Sequence, residues 1–435
     1  MASTDRSYRA LLGVPTLPRV LLSGQIARIA QSMVAVALVL FTLDRFDSPA
    51  FAGLVTFASI FPGLLISPIA GALLDRHGRI RLVLLDYVVA LLAMLAIGVL
   101  ALVDTLPGWL LVVIATIGSL TSILSHVGLR SIFPILVPEP LWERVNAVDS
   151  NGYVAATIVG PPIAAVLVAF LGGPIALLVI GAAFGIAALV LVGVPEPAAP
   201  IESTGRVLAD AWAGVRYTWA NRTLRGLGFM ITLSNLAHGM VTIVLPLIII
   251  DRFGLSEVVV GIVFAVSGVA GIASSFAFGR MDTRGREWPM LIWPQLALVP
   301  VVALLLVAAG APAPVGLGLV VVEMALVGVL IGPMDIALFT VRQRRTDAAW
   351  IGRAFAVSMA FNYVGVPVGA VLAGFLADGS IEAAILVLGI GGSILATLAG
   401  LFLVPRSDPR DAAASLPPSP TPVPGETLGA PTETS

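Results

Sequence analysis

Apolar runs of similar length fill this chain almost from end to end, and short polar breaks separate them. A helix of about 20 apolar residues crosses the hydrocarbon core of a bilayer. By that measure the runs predict twelve spans, at 19–42, 50–73, 82–103, 108–129, 146–170, 173–194, 225–250, 256–279, 289–309, 315–339, 354–377 and 381–404. The links are short except for 195–224, which opens with Pro195, Pro197 and Pro200. Within it Leu208, Trp212, Val215 and Trp219 recur at helical spacing, which predicts an amphipathic helix near 204–222. That helix either lies on the membrane surface with Arg206, Arg216 and Arg222 among lipid headgroups, or packs on the ends of the spans. The segment 405–435, rich in Pro, Ser and Thr, is expected to be a disordered tail. The expected organisation is a short N-terminus (1–18), a six-span half (19–194), a linker (195–224), a second half (225–404) and the tail (405–435).

Composition sharpens this picture. Of 435 residues 58% are hydrophobic and only 11% charged, with a mean hydropathy of +1.03. Soluble domains carry about a quarter charged residues, so lipid is the expected solvent. A net charge of −1 gives no general attraction for nucleic acid. There is no Cys, no P-loop, no metal-ligand spacing and no nucleophile elbow. No enzyme activity and no cofactor are therefore expected. All 24 basic residues are Arg, and they fix the orientation. With both termini in the cytoplasm, only Arg45 and Arg252 face outward, as the positive-inside rule favours.

The chain also repeats itself. GPPIAAVLVAFL (160–171) resembles GVPVGAVLAGFL (365–376), and DRHGR (75–79) resembles DTRGR (282–286), at nearly one offset. Two parallel six-span halves are a transporter architecture, with the substrate site near the midplane between them. The charged loops sit between spans 2 and 3 and between spans 8 and 9, where Gly permits a tight turn and Arg anchors the inner surface.

The first loop, with Gly71, Asp75, Arg76, Gly78 and Arg79, is similar to the loop signature of the major facilitator superfamily. LRSIFPILVPEPLWERVNAVDS (129–150) and AGVRYTWANRTLRGL (213–227) resemble the twelve-span enterobactin-exporter and macrolide-efflux branch of drug:proton antiporters. Gly160, Pro161 and Pro162 resemble the span 5 antiporter motif, although Ala164 and Ala165 stand where it has Gly. The resemblance implies an all-α membrane protein: twelve transmembrane helices in two pseudo-symmetric halves, working as a monomer in the inner membrane. It implies a small-molecule substrate exported against protons by alternating access. A specific metabolite such as a siderophore, and a non-transporting sensor or scaffold, are the other readings. It also implies a latch in which Asp75, Arg79 and Asp149 hold the cytoplasmic side shut, with Asp282 and Arg286 as a second copy. The plainer reading of these residues is charge anchoring and helix capping.

Several polar residues fall inside the spans. Glu323 lies in GLVVVEMALVGVL with no sequence neighbour to neutralise it. A charged group at mid-helix costs about 2.5–3.5 kcal/mol, and a carboxyl that exchanges protons there suits a proton antiporter. A structural Glu bonded to another span is the alternative. Arg28 and Gln31 share a helix face with Gln25. Relatives of this branch commonly have an acid near that point, where this chain has Gln31 and Ser32. Arg28 then pairs with a buried acid, binds an anionic substrate group, or snorkels to the interface. Asp335 is expected to pair with Arg342 or Arg344. His126 and His238 are candidate proton carriers, and Asn235, Asn362 and Tyr363 candidate cavity donors.

Overall fold

The computed structural model describes residues 8–138, 141–196, 207–278, 285–347 and 350–407. Among them every regular element is helical, and twelve helices are long and apolar enough to cross a membrane. A short α1 (Tyr8–Leu12) precedes the first half. That half comprises α2 (Leu17–Phe46), α3 (Pro49–His77), α4 (Arg79–Leu102), α5 (Gly108–Leu136), α6 (Trp142–Leu171) and α7 (Gly173–Leu191). The linker helix α8 (Val207–Ala220) leads to α9 (Arg222–Leu247), α10 (Glu257–Phe278), α11 (Glu287–Gly310) and α12 (Ala313–Arg344). The eleventh span comprises α13 (Ile351–Tyr363) and α14 (Gly365–Gly379), and the last α15 (Ile381–Ala384) and α16 (Gly392–Leu403). Wider π-type turns extend α9 at Ile248–Arg252 and join α15 to α16 at Ile385–Gly391.

The eleventh span keeps helical angles through Val364, with bonds to Ala360 and Val368 on either side, and misses only the bond at Tyr363. The cause is Pro367: it has no N–H for the Tyr363 carbonyl, and its ring crowds that turn. Tyr363 itself is 51% exposed.

The halves meet along two helix pairs, α3 with α14 and α6 with α10. Both pairs close tightly at the arginine-poor end of the bundle. A Cβ on Gly53 would sit 2.5 Å from the Ala370 carbonyl oxygen, and one on Gly374 would sit 2.3 Å from that of Pro49. A Cβ on Gly261 would sit 2.7 Å from Ala165 Cβ and 2.8 Å from Pro162 Cα. The repeated segments 160–171 and 365–376 thus build the two seals, Ala165 in one and Ala370 in the other. Small residues let the backbones approach, which is how helices gain packing energy in lipid.

Two arginines at this end oppose the positive-inside trend, and each is paired. Arg45 bonds Asp104 at 2.7 Å, and Arg252 pairs with Glu382.

The linker helix docks on the second half. Tyr217 stacks on Trp350 with centroids 4.9 Å apart, its hydroxyl donates to Asp347 Oδ2 at 3.0 Å, and Asn221 donates to the Arg345 carbonyl. Trp212 and Trp219 stay exposed on α8. The helix therefore combines protein packing with an exposed aromatic face.

Candidate functional site

The first half carries a polar network in its interior. Asp149 on α6 is buried and held by two guanidiniums: it pairs with Arg28 of α2, and Arg130 of α5 donates to its Oδ2 at 3.1 Å. Both guanidiniums also lie over the Tyr153 ring, at 4.0 and 4.6 Å from its centroid. Gln25 donates to the Gly152 carbonyl on the same helix. Arg28 is therefore a paired interior charge, and does not snorkel to the interface. Asp149 pairs with Arg28 and Arg130, and its expected partnership with Asp75 and Arg79 involves a side chain outside what the structure describes. The Asp75 and Arg76 side chains, Gly71 and all of Asp282 fall outside what the structure describes.

Beside this network lies a cavity of about 20 Å³, enough for one water. Arg28, Gln31, Tyr87, Ser125, His126 and Tyr153 line it. Asp86 of α4 is 4% exposed and faces Ser125, Thr121 and the His126 imidazole. Sequence reasoning passed over Asp86, because it lies near the end of its apolar run and reads as an interfacial acid.

In the second half, Asn235 donates to the Asn362 carbonyl at 2.8 Å, joining α9 to α13. With its amide turned to satisfy both neighbours, Asn362 donates to the Ser358 carbonyl and accepts from Arg342. Asn362 is thus a buried tie between spans. Arg342, itself buried, bonds Met359 sulfur and lies within electrostatic reach of Asp335. Arg344 pairs with Glu287 of α11, so of Asp335's two suggested partners Arg342 is the one beside it. Asp335 and His238 are exposed.

The two networks face one another. Tyr363 lies within electrostatic reach of Arg130 and Tyr153 across the pseudo-symmetry axis, and of Asp335 on its own side. Arg130 keeps 58% of its side chain exposed. Glycine contacts join the halves at the arginine-poor end, and the Arg130, His126, Asp335 and Tyr363 side chains are exposed.

Glu323 sits apart from both networks. It is fully buried on α12, flanked by the buried Val320 and Met324, and neither carboxyl oxygen has a hydrogen-bond partner. An unpaired charge in such surroundings costs several kcal/mol.

A family model for the major facilitator superfamily matches residues 20–366 and 227–429. The chain belongs to the major facilitator superfamily. It is 33% identical over 416 residues to an uncharacterized transporter of this type from Sinorhizobium fredii, covering 93% of this chain and 98% of that one. It is 27% identical to the multidrug efflux pump Tap of Mycolicibacterium fortuitum, over 86% of this chain and 91% of the pump. The crystal structure of the nucleoside transporter NupG superposes with a TM-score of 0.71 at 14% identity, covering 89% and 99%. The last likeness speaks for the fold alone.

The superfamily's loop signature has a definite backbone role here. Gly78 takes φ +95° between α3 and α4, and Gly285, its counterpart in the second half, takes φ +73°. At Gly78 the turn brings three amide groups, of Arg79, Ile80 and Arg81, onto the Glu196 carboxylate at 2.6, 2.9 and 3.4 Å. A carboxylate satisfies the orphan donors of a helix start and complements its dipole. Glu196 follows the last span of the first half, over a hundred residues on, and nothing local in the sequence marks it as a cap. In the span 5 motif, a Cβ at Gly160 would meet Ser32 Cβ at 2.5 Å, so the motif packs α6 onto α2 where relatives carry an acid.

Proposed function

We propose that this protein is a secondary active exporter of amphipathic or lipophilic small molecules, driven by proton exchange, with its arginine-rich end in the cytoplasm. The observation that carries the reading is the access geometry. The halves meet through glycine contacts at the arginine-poor end, while Arg130 and Asp335, toward the arginine-rich ends of their helices, and Tyr363 stay exposed. In that orientation this is the state an exporter needs to load substrate from the cell interior. Tyr153 and Tyr363 offer flat apolar faces, and Arg130 and Asp335 offer opposite charges, which suits molecules that combine rings with polar groups. Proton coupling rests on Glu323, whose unpartnered carboxyl would lose its proton only when the surrounding helices rearrange. The efflux role named for the Mycolicibacterium fortuitum relative supports the same direction of transport.

A second reading has a specific observation behind it. Arg28 and Arg130 share one acid, Asp149, and so bring two guanidiniums together in the first half. That would suit export of one anionic metabolite. Expression in an efflux-deficient bacterial host separates the readings. Lower steady-state ethidium accumulation than in a vector control supports the broad exporter. Accumulation equal to the control refutes it for cationic dyes and favours the specific-metabolite or sensor readings.

A further inference from the structure

We propose that the outward face of α8, together with the first turn of α9, is a binding site for an anionic phospholipid. The residues belong to the linker and to the start of the second half, so the site stands apart from the polar networks of the interior and from what is transported.

Helical spacing divides α8 into two faces. Gly214 and Thr218 are buried and Tyr217 stacks on Trp350, so one face is taken up by the second half. Trp212, Val215, Arg216 and Trp219 recur three and four residues apart and share the other face. With Ala220 and Arg225 they line an open groove of about 450 Å³. That volume falls within the range of small-molecule sites, about 300–1,000 Å³.

The walls of the groove are fixed by the protein. Arg225 Nη1 donates to the Trp219 carbonyl at 2.9 Å, which ties its guanidinium to the end of α8. The Trp219 ring packs edge-on against Phe229 and Phe361, with centroids 5.8 and 6.4 Å away, and still remains 55% exposed. Trp212 is 69% exposed. Two large apolar rings side by side in water are unfavourable. The seventh span begins at Arg222, which sets the groove at headgroup level at the arginine-rich end. There an indole ring is at home among glycerol and upper acyl carbons.

Charge selects the lipid. Among the described residues no carboxylate lines the groove, and none pairs with Arg216 or Arg225. Arg216 is exposed, and Arg225 keeps donors beyond the one given to Trp219. A guanidinium's planar donors match phosphate oxygens in pairs. Two guanidiniums without an acid complement a headgroup of net negative charge. A zwitterionic headgroup brings its own ammonium, which the two arginines repel.

The test uses the full chain in phosphatidylcholine vesicles that carry a minor share of a lipid with brominated acyl chains, either phosphatidylglycerol or phosphatidylcholine. Bromine quenches tryptophan fluorescence on contact. The expected result in wild type is stronger quenching by the brominated phosphatidylglycerol. Trp212→Phe/Trp219→Phe should lose that excess, since the other tryptophans are background. A basic side chain at an anionic lipid surface is worth about 5-fold in affinity, so Arg216→Gln should raise the phosphatidylglycerol share needed for half the excess about 5-fold, and Arg216→Gln/Arg225→Gln about 25-fold. Arg216 is exposed, so its single variant tests the charge without disturbing the fold. Arg81→Gln, exposed at the same end outside the groove, should match wild type. Equal quenching by the two lipids in wild type overturns the inference, as does an excess that survives Arg216→Gln/Arg225→Gln. A loss in Arg81→Gln as large as in Arg216→Gln would reveal general surface attraction and overturn the site. An excess removed by millimolar inorganic phosphate would reveal a plain anion site and overturn the lipid assignment.

Discussion

Closure of the arginine-poor end depends on three backbone contacts that admit no side chain, and this makes the conformational equilibrium easy to perturb. At Gly53 an added Cβ would lie 2.5 Å from the Ala370 oxygen and 3.0 Å from Val371 Cα; at Gly374 it would lie 2.3 Å from the Pro49 oxygen and 3.0 Å from Ala50 Cα. Ordinary contact begins near 3.4 Å, and the opposing atoms are backbone, so no rotamer change relieves the clash. Overpacking of this kind costs about 1–3 kcal/mol. The contacts join the two halves and are made only while this end is shut. The cost therefore falls on one state, and it shifts the equilibrium about 5- to 150-fold toward opening. Because the chain contains no cysteine, spin labels can be placed without removing any native residue. Val103→Cys and Val315→Cys, 59% and 57% exposed at the arginine-poor end of opposite halves, give a suitable pair. Pulsed dipolar distance measurement should show a longer-distance population in Gly53→Ala and Gly374→Ala. Gly118→Ala, whose Cβ would meet nothing within 4 Å, should match wild type. Unchanged distributions in both seal variants would refute the argument that these contacts hold the end closed.

Further outcomes follow from other contacts. Asp149→Asn leaves Arg28 and Arg130 without their shared acid and should destabilise the fold by about 3–5 kcal/mol, read as a lowered Tm in detergent; an unchanged Tm would mean water compensates the pair. Glu196→Ala removes the acceptor from the start of α4 and should cost about 0.5–2 kcal/mol, read as faster amide exchange at Arg79–Arg81. No change there would show that solvent caps the helix equally well. For orientation, Ser256→Cys in intact cells should react with a membrane-impermeant maleimide and Ser407→Cys should not; the reverse pattern would invert the topology.

The fold was written plainly in the sequence, and the site only in part. The spans were legible because hydrophobic length is a local signal and lipid enforces it along each segment. The two halves were legible because 160–171 and 365–376 keep the same small residues, which the structure places in the two seals. The missing bond at Tyr363 could have been read from Pro367, since proline acts on the turn before it. Partners were less legible. Arg28 left a buried acid, an anionic substrate group and the interface all open, because Asp149, which pairs with it, is 121 positions away. Asp86 stayed hidden because the groups that face it, Ser125 and His126, come from α5. Glu323 stood out because an acid inside an apolar run is costly wherever the run packs.

The most direct measurement of the central claim is coupled flux. Purified protein in liposomes, with an imposed pH gradient, is followed by ethidium movement and by proton movement in the same vesicles. The account predicts that dye and protons move in opposite directions in wild type, and that Glu323→Gln loses the pH dependence. Dye flux indifferent to the gradient, or equal gradient-driven flux in wild type and Glu323→Gln, would contradict it.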